Sequence, residues 1–149
     1  MGILLDDKLQ WIDHIKYCRN KITGGLYALH MAKNFLPQQQ LKMIYYSLIH
    51  PYLEYGCILW GSTYKKHIHS LEVLQNKSVR IVSKSKYNAS TNHIYKKLHD
   101  LYKIQTMKFM YRNSTGALPE PLLQHFTPNT AIHQHQTRHM HDYHVPKLR

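Results

Sequence analysis

Carboxylates are scarce in this chain. Eight Asp and Glu stand against 20 Lys and Arg over 149 residues, leaving a formal charge of +12 and a pI near 9.7. Such a field favours polyanions, nucleic acid first and an anionic membrane surface second. Cysteine is rarer still. Cys18 and Cys57 alone exclude a disulfide framework; a single bridge stays open, and two free buried thiols in a reducing compartment are the expectation. Long apolar runs are missing as well. The most apolar stretch, residues 48–60, carries His50, Pro51 and Glu54, so no segment is built to span a bilayer. The N-terminus has no basic region ahead of an apolar one, which excludes a secretory signal. Asp6 stands where a myristoylation motif beginning at Gly2 wants Ser or Thr. No membrane partner is expected, and the location expected is intracellular, cytoplasmic and/or nuclear.

Motifs for independent chemistry are missing too. There is no G-x-S-x-G, Walker loop or dinucleotide fingerprint, and no His-x-Asp or His-x-Glu to begin an iron-binding triad. Asp6-Asp7 looks like a metal pair, since two carboxylates can bridge two divalent ions for phosphoryl transfer. That chemistry also needs a third carboxylate upstream, and the chain has none there. His125, His133, His135, His139, His141 and His144 crowd the C-terminal stretch. A structural zinc site wants four ligands with thiolates among them, yet the nearest acidic group is Asp142 and no cysteine is close. No metal or cofactor is expected, and residues 122–149 read as a polar, His-rich tail with little order of its own.

What is present is helical periodicity over a chain that is 43% hydrophobic, enough for one modest core. Residues 2–5 read as the end of a short strand and residues 6–10 as a turn. Ile15, Cys18, Ile22, Leu26 and Leu29 predict a helix over residues 11–35. Gly24-Gly25 weakens its middle; a close helix crossing or a simple break would each account for the pair. Pro37 suits the first turn of a second helix, with Leu41, Ile44, Leu48 and Ile49 as its buried stripe. Pro51 ends or kinks that helix, and a short helix follows over residues 52–60. Residues 64–83 form the best amphipathic helix, with Ile68, Leu71, Leu74 or Gln75, Ser78 and Val82 on one side. Thr91 is a good N-cap for a helix over residues 92–99. Leu101, Ile104, Met107 or Lys108, and Tyr111 continue as another helix, closed by Gly116 and Pro119. The fold expected is all-α, a small helical bundle with a vestigial N-terminal strand and a disordered His-rich C-terminal tail.

The candidate binding residues are cations: Lys65, Lys66, Lys77, Arg80, Lys84 and Lys86 on and just after the amphipathic helix, followed by Lys96, Lys97, Lys103, Lys108 and Arg112. Phosphate contacts gain from counterion release without reading sequence. Tyr64, Tyr87, Tyr95 and Tyr102, interleaved among them, suit stacking on bases or sugars. Solvated faces of amphipathic helices would show the same pattern. Tyr45, Tyr46, Tyr52, Tyr55 and Trp60 are assigned to the core, because aromatics beside a helical apolar stripe supply burial.

Several of these residues also form an ordered set of landmarks. Gly2, Asp6, Leu9 and Trp11 fit G-x-x-x-D-x-x-L-x-W, in which the first aspartate is structural. His14-Ile15, Phe35-Leu36-Pro37, Tyr45-Tyr46-Ser47-Leu48-Ile49-His50, Tyr55-Gly56 and Leu59-Trp60-Gly61 follow. Leu74-Gln75-Asn76-Lys77 with Arg80-Ile81, Lys108-Phe109-Met110-Tyr111, Thr137-Arg138, Tyr143, Pro146 and Arg149 complete the series. In order and spacing the chain resembles the thumb and following segment of non-LTR (LINE-type) retrotransposon reverse transcriptases. The resemblance implies a helical thumb that packs on the minor-groove side of the template-primer and holds an RNA–DNA hybrid against the palm. It implies the end of a palm strand and a turn over residues 1–10, a thumb-like domain over 11–116 and a flexible basic, His-rich tail over 117–149. Finger, palm and endonuclease motifs are absent, so the expectation is a truncated fragment that is not itself an enzyme and binds the template-primer backbone. Its partners would be an RNA–DNA hybrid or other nucleic acid, with the palm of an intact reverse transcriptase or a second copy as further candidates. A helical protein–protein interaction module and a non-functional remnant are the alternatives.

Overall fold

A computed structural model describes residues 1–86, 90, 98–132, 138–140 and 142–144. Its contacts divide the chain into two units, Met1–Thr106 and Met107–Arg149. The elements in order are α1 (Ile12–Ala32), α2 (Gln38–Leu48), α3 (His50–Glu54), α4 (Cys57–Trp60), α5 (Lys65–Val82), α6 (Leu98–Ser114), α7 (Glu120–Leu123) and α8 (Asn129–Ile132). The all-α bundle expected from periodicity is what forms. Residues 1–6 carry no regular element, so the strand expected at residues 2–5 is not seen. A strand needs a neighbour to pair its backbone groups, and among the described residues of this unit all the regular elements are helices.

The first unit is built around α1, which packs most extensively on α5 and next on α2. Its buried residues Ile15, Cys18, Ile22 and Leu29 are the stripe legible in the sequence. The helix runs unbroken through Gly24-Gly25. A Cβ placed on Gly25 would stand 2.7 Å from Ile49 Cγ1 and 3.1 Å from the Leu48 carbonyl oxygen, whereas one on Gly24 would meet nothing within 4 Å. Of the two accounts left open for this pair, close helix crossing is the one realised, and it is carried by the second glycine.

Pro37 stands at the N-cap of α2, and Pro51 falls in the first turn of α3. The chain therefore turns at Ile49, because a proline at 51 cannot continue the α2 ladder. The expected helix over residues 52–60 is instead two pieces. Gly56 adopts a left-handed φ of 64° between α3 and α4, a conformation glycine enters without a Cβ penalty. The aromatic cluster divides accordingly. Trp60 and Tyr45 are fully buried and Tyr52 is half-buried, but Tyr46 and Tyr55 are exposed, against the expectation for those two. In α2, Tyr45 takes the core position beside Leu41, while Leu48 is exposed. Helical spacing leaves neighbouring residues about 100° apart, and the way α2 is set against its neighbours turns Tyr45 inward and Tyr46 outward.

Buried polar groups in this unit are partnered. Gln75 Nε2 donates to the Tyr45 hydroxyl at 3.2 Å, and its Oε1 accepts from the Leu98 backbone N–H at 3.2 Å, joining α5 to α2 and to the start of α6. His14 accepts the Leu4 N–H on Nδ1 at 3.3 Å and lies 3.5 Å from Cys18 Sγ through Nε2. Burial pushes the His14 pKa down. Cys18 and Cys57 are free and buried, each thiol pushed up to about 11 by burial. Thiolate, not thiol, is the nucleophile, so burial and the raised pKa both disfavour reaction at these cysteines in the folded chain.

In the second unit Phe126 packs between Phe109 and Tyr143, at ring-centroid distances of 5.8 and 5.7 Å. Pro128 and Tyr143 form an antiparallel bridge. Asn129 donates to the carbonyls of Asp142 and His139. The helix expected over residues 92–99 lies outside the described residues up to 97. So do His133, His135, His141, Thr137, Pro146 and Arg149.

Candidate nucleic-acid interface

The Asp6 carboxylate is engaged locally. Its Oδ1 accepts the Gln10 N–H at 2.7 Å and its carbonyl accepts the Leu9 N–H. It closes the turn that leads into α1, as the structural reading of the first aspartate implied. Asp7 is exposed. Among the described residues no group of three or more His, Cys, Asp or Glu side chains converges as a metal site would require. His139 pairs instead with Asp142, Nδ1 to Oδ2, at 2.6 Å.

The six candidate cations separate into two places. Lys77, Arg80 and Lys84 line an open groove of about 940 Å³ where the C-terminal ends of α1 and α5 meet. Lys77 and Arg80, three residues apart, share one face of α5, and Lys84 follows just past the end of that helix. Helix α1 supplies the facing wall: Thr23, Leu26, Tyr27 and His30, with Lys33 and Asn34 just beyond its end. None of the described residues lining this groove is acidic. Lys65 and Lys66 open instead on a second groove of about 830 Å³, shared with His69, Glu72, His99 and Tyr102. The carboxylate of Glu72 offsets part of the charge there. Lys86 is exposed beyond α5 and lines neither groove. Of the interleaved tyrosines, Tyr64 is exposed at the start of α5, and Tyr102 is half-buried against Gly61. Tyr87 and Tyr95 lie outside the described residues, as do Lys96 and Lys97. Lys103, Lys108 and Arg112 are exposed on α6.

The contribution of α1 was missed in the sequence. Thr23, Tyr27, His30 and Asn34 recur at helical spacing, but they are not a charge cluster, and only the packing of α1 on α5 sets them opposite Lys77 and Lys84.

Cations at the C-terminal end of a helix also offset its dipole, by about 0.3–1 kcal/mol each, so charge alone does not make this groove a binding site. Lys84 is more telling. It adopts a left-handed φ of 51° at the end of α5. The Lys84 N–H donates to the Ile81 carbonyl and the Ser85 N–H to the Arg80 carbonyl, the bonding of a Schellman cap, whose left-handed position glycine usually fills. The same cap closes α6, where Gly116 holds that position with a φ of 67°. A lysine there is held against a steric cost of roughly 1 kcal/mol. Lys84→Gly is therefore expected to raise stability by about 0.5–1 kcal/mol while weakening polyanion binding. Urea midpoints and a salt-dependent binding assay on the same variant check both halves.

No family model and no solved structure matches the chain. Curated relatives do. One is the "Probable RNA-directed DNA polymerase from transposon X-element" of Drosophila melanogaster, 28% identical over 86 residues, covering 56% of this chain and 10% of that protein. Another is the "RNA-directed DNA polymerase from mobile element jockey" of the same fly, 26% identical over 166 aligned positions, covering 99% of this chain and 18% of that protein. The chain spans less than a fifth of the length of either relative. These similarities support an origin related to retrotransposon RNA-directed DNA polymerases. They also overturn the expectation of a chain that is not an enzyme. Both relatives are polymerases by name, and a lack of recognisable motifs within a segment this short does not establish a lack of activity. Among the described residues no helix is long and apolar enough to cross a membrane.

Proposed function

We propose that this chain is a segment of a retrotransposon RNA-directed DNA polymerase whose thumb-like domain, residues 11–116, grips the backbone of the template-primer. The observation that carries this reading is the groove between α1 and α5, lined by Lys33, Lys77, Arg80 and Lys84 with no acidic side chain among its described residues. A polymerase that copies RNA into DNA must hold an RNA–DNA hybrid whatever its sequence, and backbone contacts made by cations do so through counterion release. Lys65 and Lys66 on the second groove, and Lys86 beyond α5, are further candidate phosphate contacts outside this groove.

Lys77 and Lys84 are exposed, so reversing their charge leaves the core untouched. Lys77→Glu with Lys84→Glu is expected to weaken binding of a blunt RNA–DNA hybrid. The slope of log affinity against log salt should flatten by about 1 for each phosphate that is no longer neutralised. Fluorescence anisotropy across a salt series reads both quantities. An unchanged slope would sink the reading.

A further inference from the structure

The groove between α1 and α5 holds more than charge, and its second component is of no use to a duplex. Leu26 and Ile81 give it an apolar floor, and Tyr27 stands at its edge with 67% of its surface exposed. A duplex offers a protein its phosphates and the edges of its bases, while the flat faces of those bases are stacked on one another. An apolar floor beside an open aromatic ring suits a base face, which only an unpaired strand can present. The cations lie where such a strand's backbone would run. Lys77 reaches the groove from α5, and Lys84 from just past the end of that helix. The facing wall brings Lys33 to the same groove from the end of α1.

We propose that this groove binds an unpaired nucleic-acid strand, its phosphates on Lys77, Lys84 and Lys33 and one base stacked on Tyr27. The proposal rests on the backbone-binding reading above and adds a ligand preference to it. Template ahead of the copied region is unpaired, so a thumb-like segment with such a groove would contact single strand as well as hybrid.

The test uses the 149-residue chain and three labelled probes: an unstructured RNA of about 12 nucleotides, within the site sizes known for single-strand grooves, the same sequence as DNA, and the blunt hybrid of that RNA with its DNA complement. Tyr27→Ala is expected to weaken binding of the single strands by about tenfold, the effect of removing one stacked base, and to leave the hybrid's affinity unchanged. Tyr27→Phe, which keeps the ring, is expected to retain wild-type affinity for all three. A response with RNA alone supports the proposal and makes the site RNA-selective; a response with both strands supports it for either sugar. Tyr27→Ala that leaves the single strands unchanged, or that weakens the hybrid equally, overturns the proposal and leaves the backbone-binding reading standing. Lys77→Glu with Lys84→Glu that leaves all three probes unchanged overturns that reading, and the groove proposal with it.

Discussion

Trp60→Ala is expected to cost about 3–5 kcal/mol, the range for truncating a large buried aromatic. Trp60 is fully buried. Its Nε1 donates to the Tyr55 carbonyl at 3.0 Å, across the break between α3 and α4, and its ring lies 5.7 Å from that of His14 on α1. The side chain therefore ties a four-residue helix, too short to hold its own shape, to α1, the longest helix among the described residues. Alanine would leave a cavity and remove the donor to Tyr55 together. Domains of this size are stable by only about 5–15 kcal/mol, so the variant should lie close to the edge of folding. Urea unfolding followed by far-UV circular dichroism reads the effect as a fall in midpoint at unchanged slope. Trp60→Phe, which keeps an aromatic ring in place, should cost less than alanine. A cost below about 1 kcal/mol for alanine, the level of a side chain outside the core, would mean that the α3–α4 corner does not depend on this ring.

The parts of the fold legible in the sequence are those set by a single helix. The stripe Ile15, Cys18, Ile22 and Leu29 is buried as its spacing predicts, and so are Leu71, Ser78 and Val82 on α5. Pro37 and Pro51 mark helix starts because proline constrains the chain locally. What depends on two elements meeting was not legible. Tyr45 and Tyr46 are chemically alike, and only the placement of α2 buries one and exposes the other. Gly56 carries no local signal that it would interrupt the run into Trp60. The candidate site follows the same division. The cations of α5 are a local cluster and were found. Tyr27, His30 and Lys33 became candidates only once α1 was seen to pack along α5. The separation of Lys65 and Lys66 into a groove with Glu72 is also a matter of packing, since the charge run gives no hint that its first turn and its last turn face different neighbours.

Gly24→Ala and Gly25→Ala should move stability in opposite directions, although the residues are adjacent in one helix. Both exchanges gain helix propensity, about 0.8–1 kcal/mol. At Gly24 nothing lies within 4 Å of the added methyl, so the gain is realised in full. At Gly25 the methyl would meet Ile49 Cγ1 at 2.7 Å and the Leu48 carbonyl oxygen at 3.1 Å. Ile49 is itself fully buried and has little room to yield, and the carbonyl belongs to the last residue of α2. Overpacking of that kind costs typically about 1–3 kcal/mol. The propensity term is common to both variants and cancels in their difference, so the gap between the two urea midpoints isolates the cost of the helix crossing. That gap should correspond to about 1–3 kcal/mol, with Gly24→Ala above the wild type. Two variants equally stabilised would show that α1 and the end of α2 do not approach this closely. The fold would then need another reason for Ile49, where the chain turns from α2 into α3, to be buried.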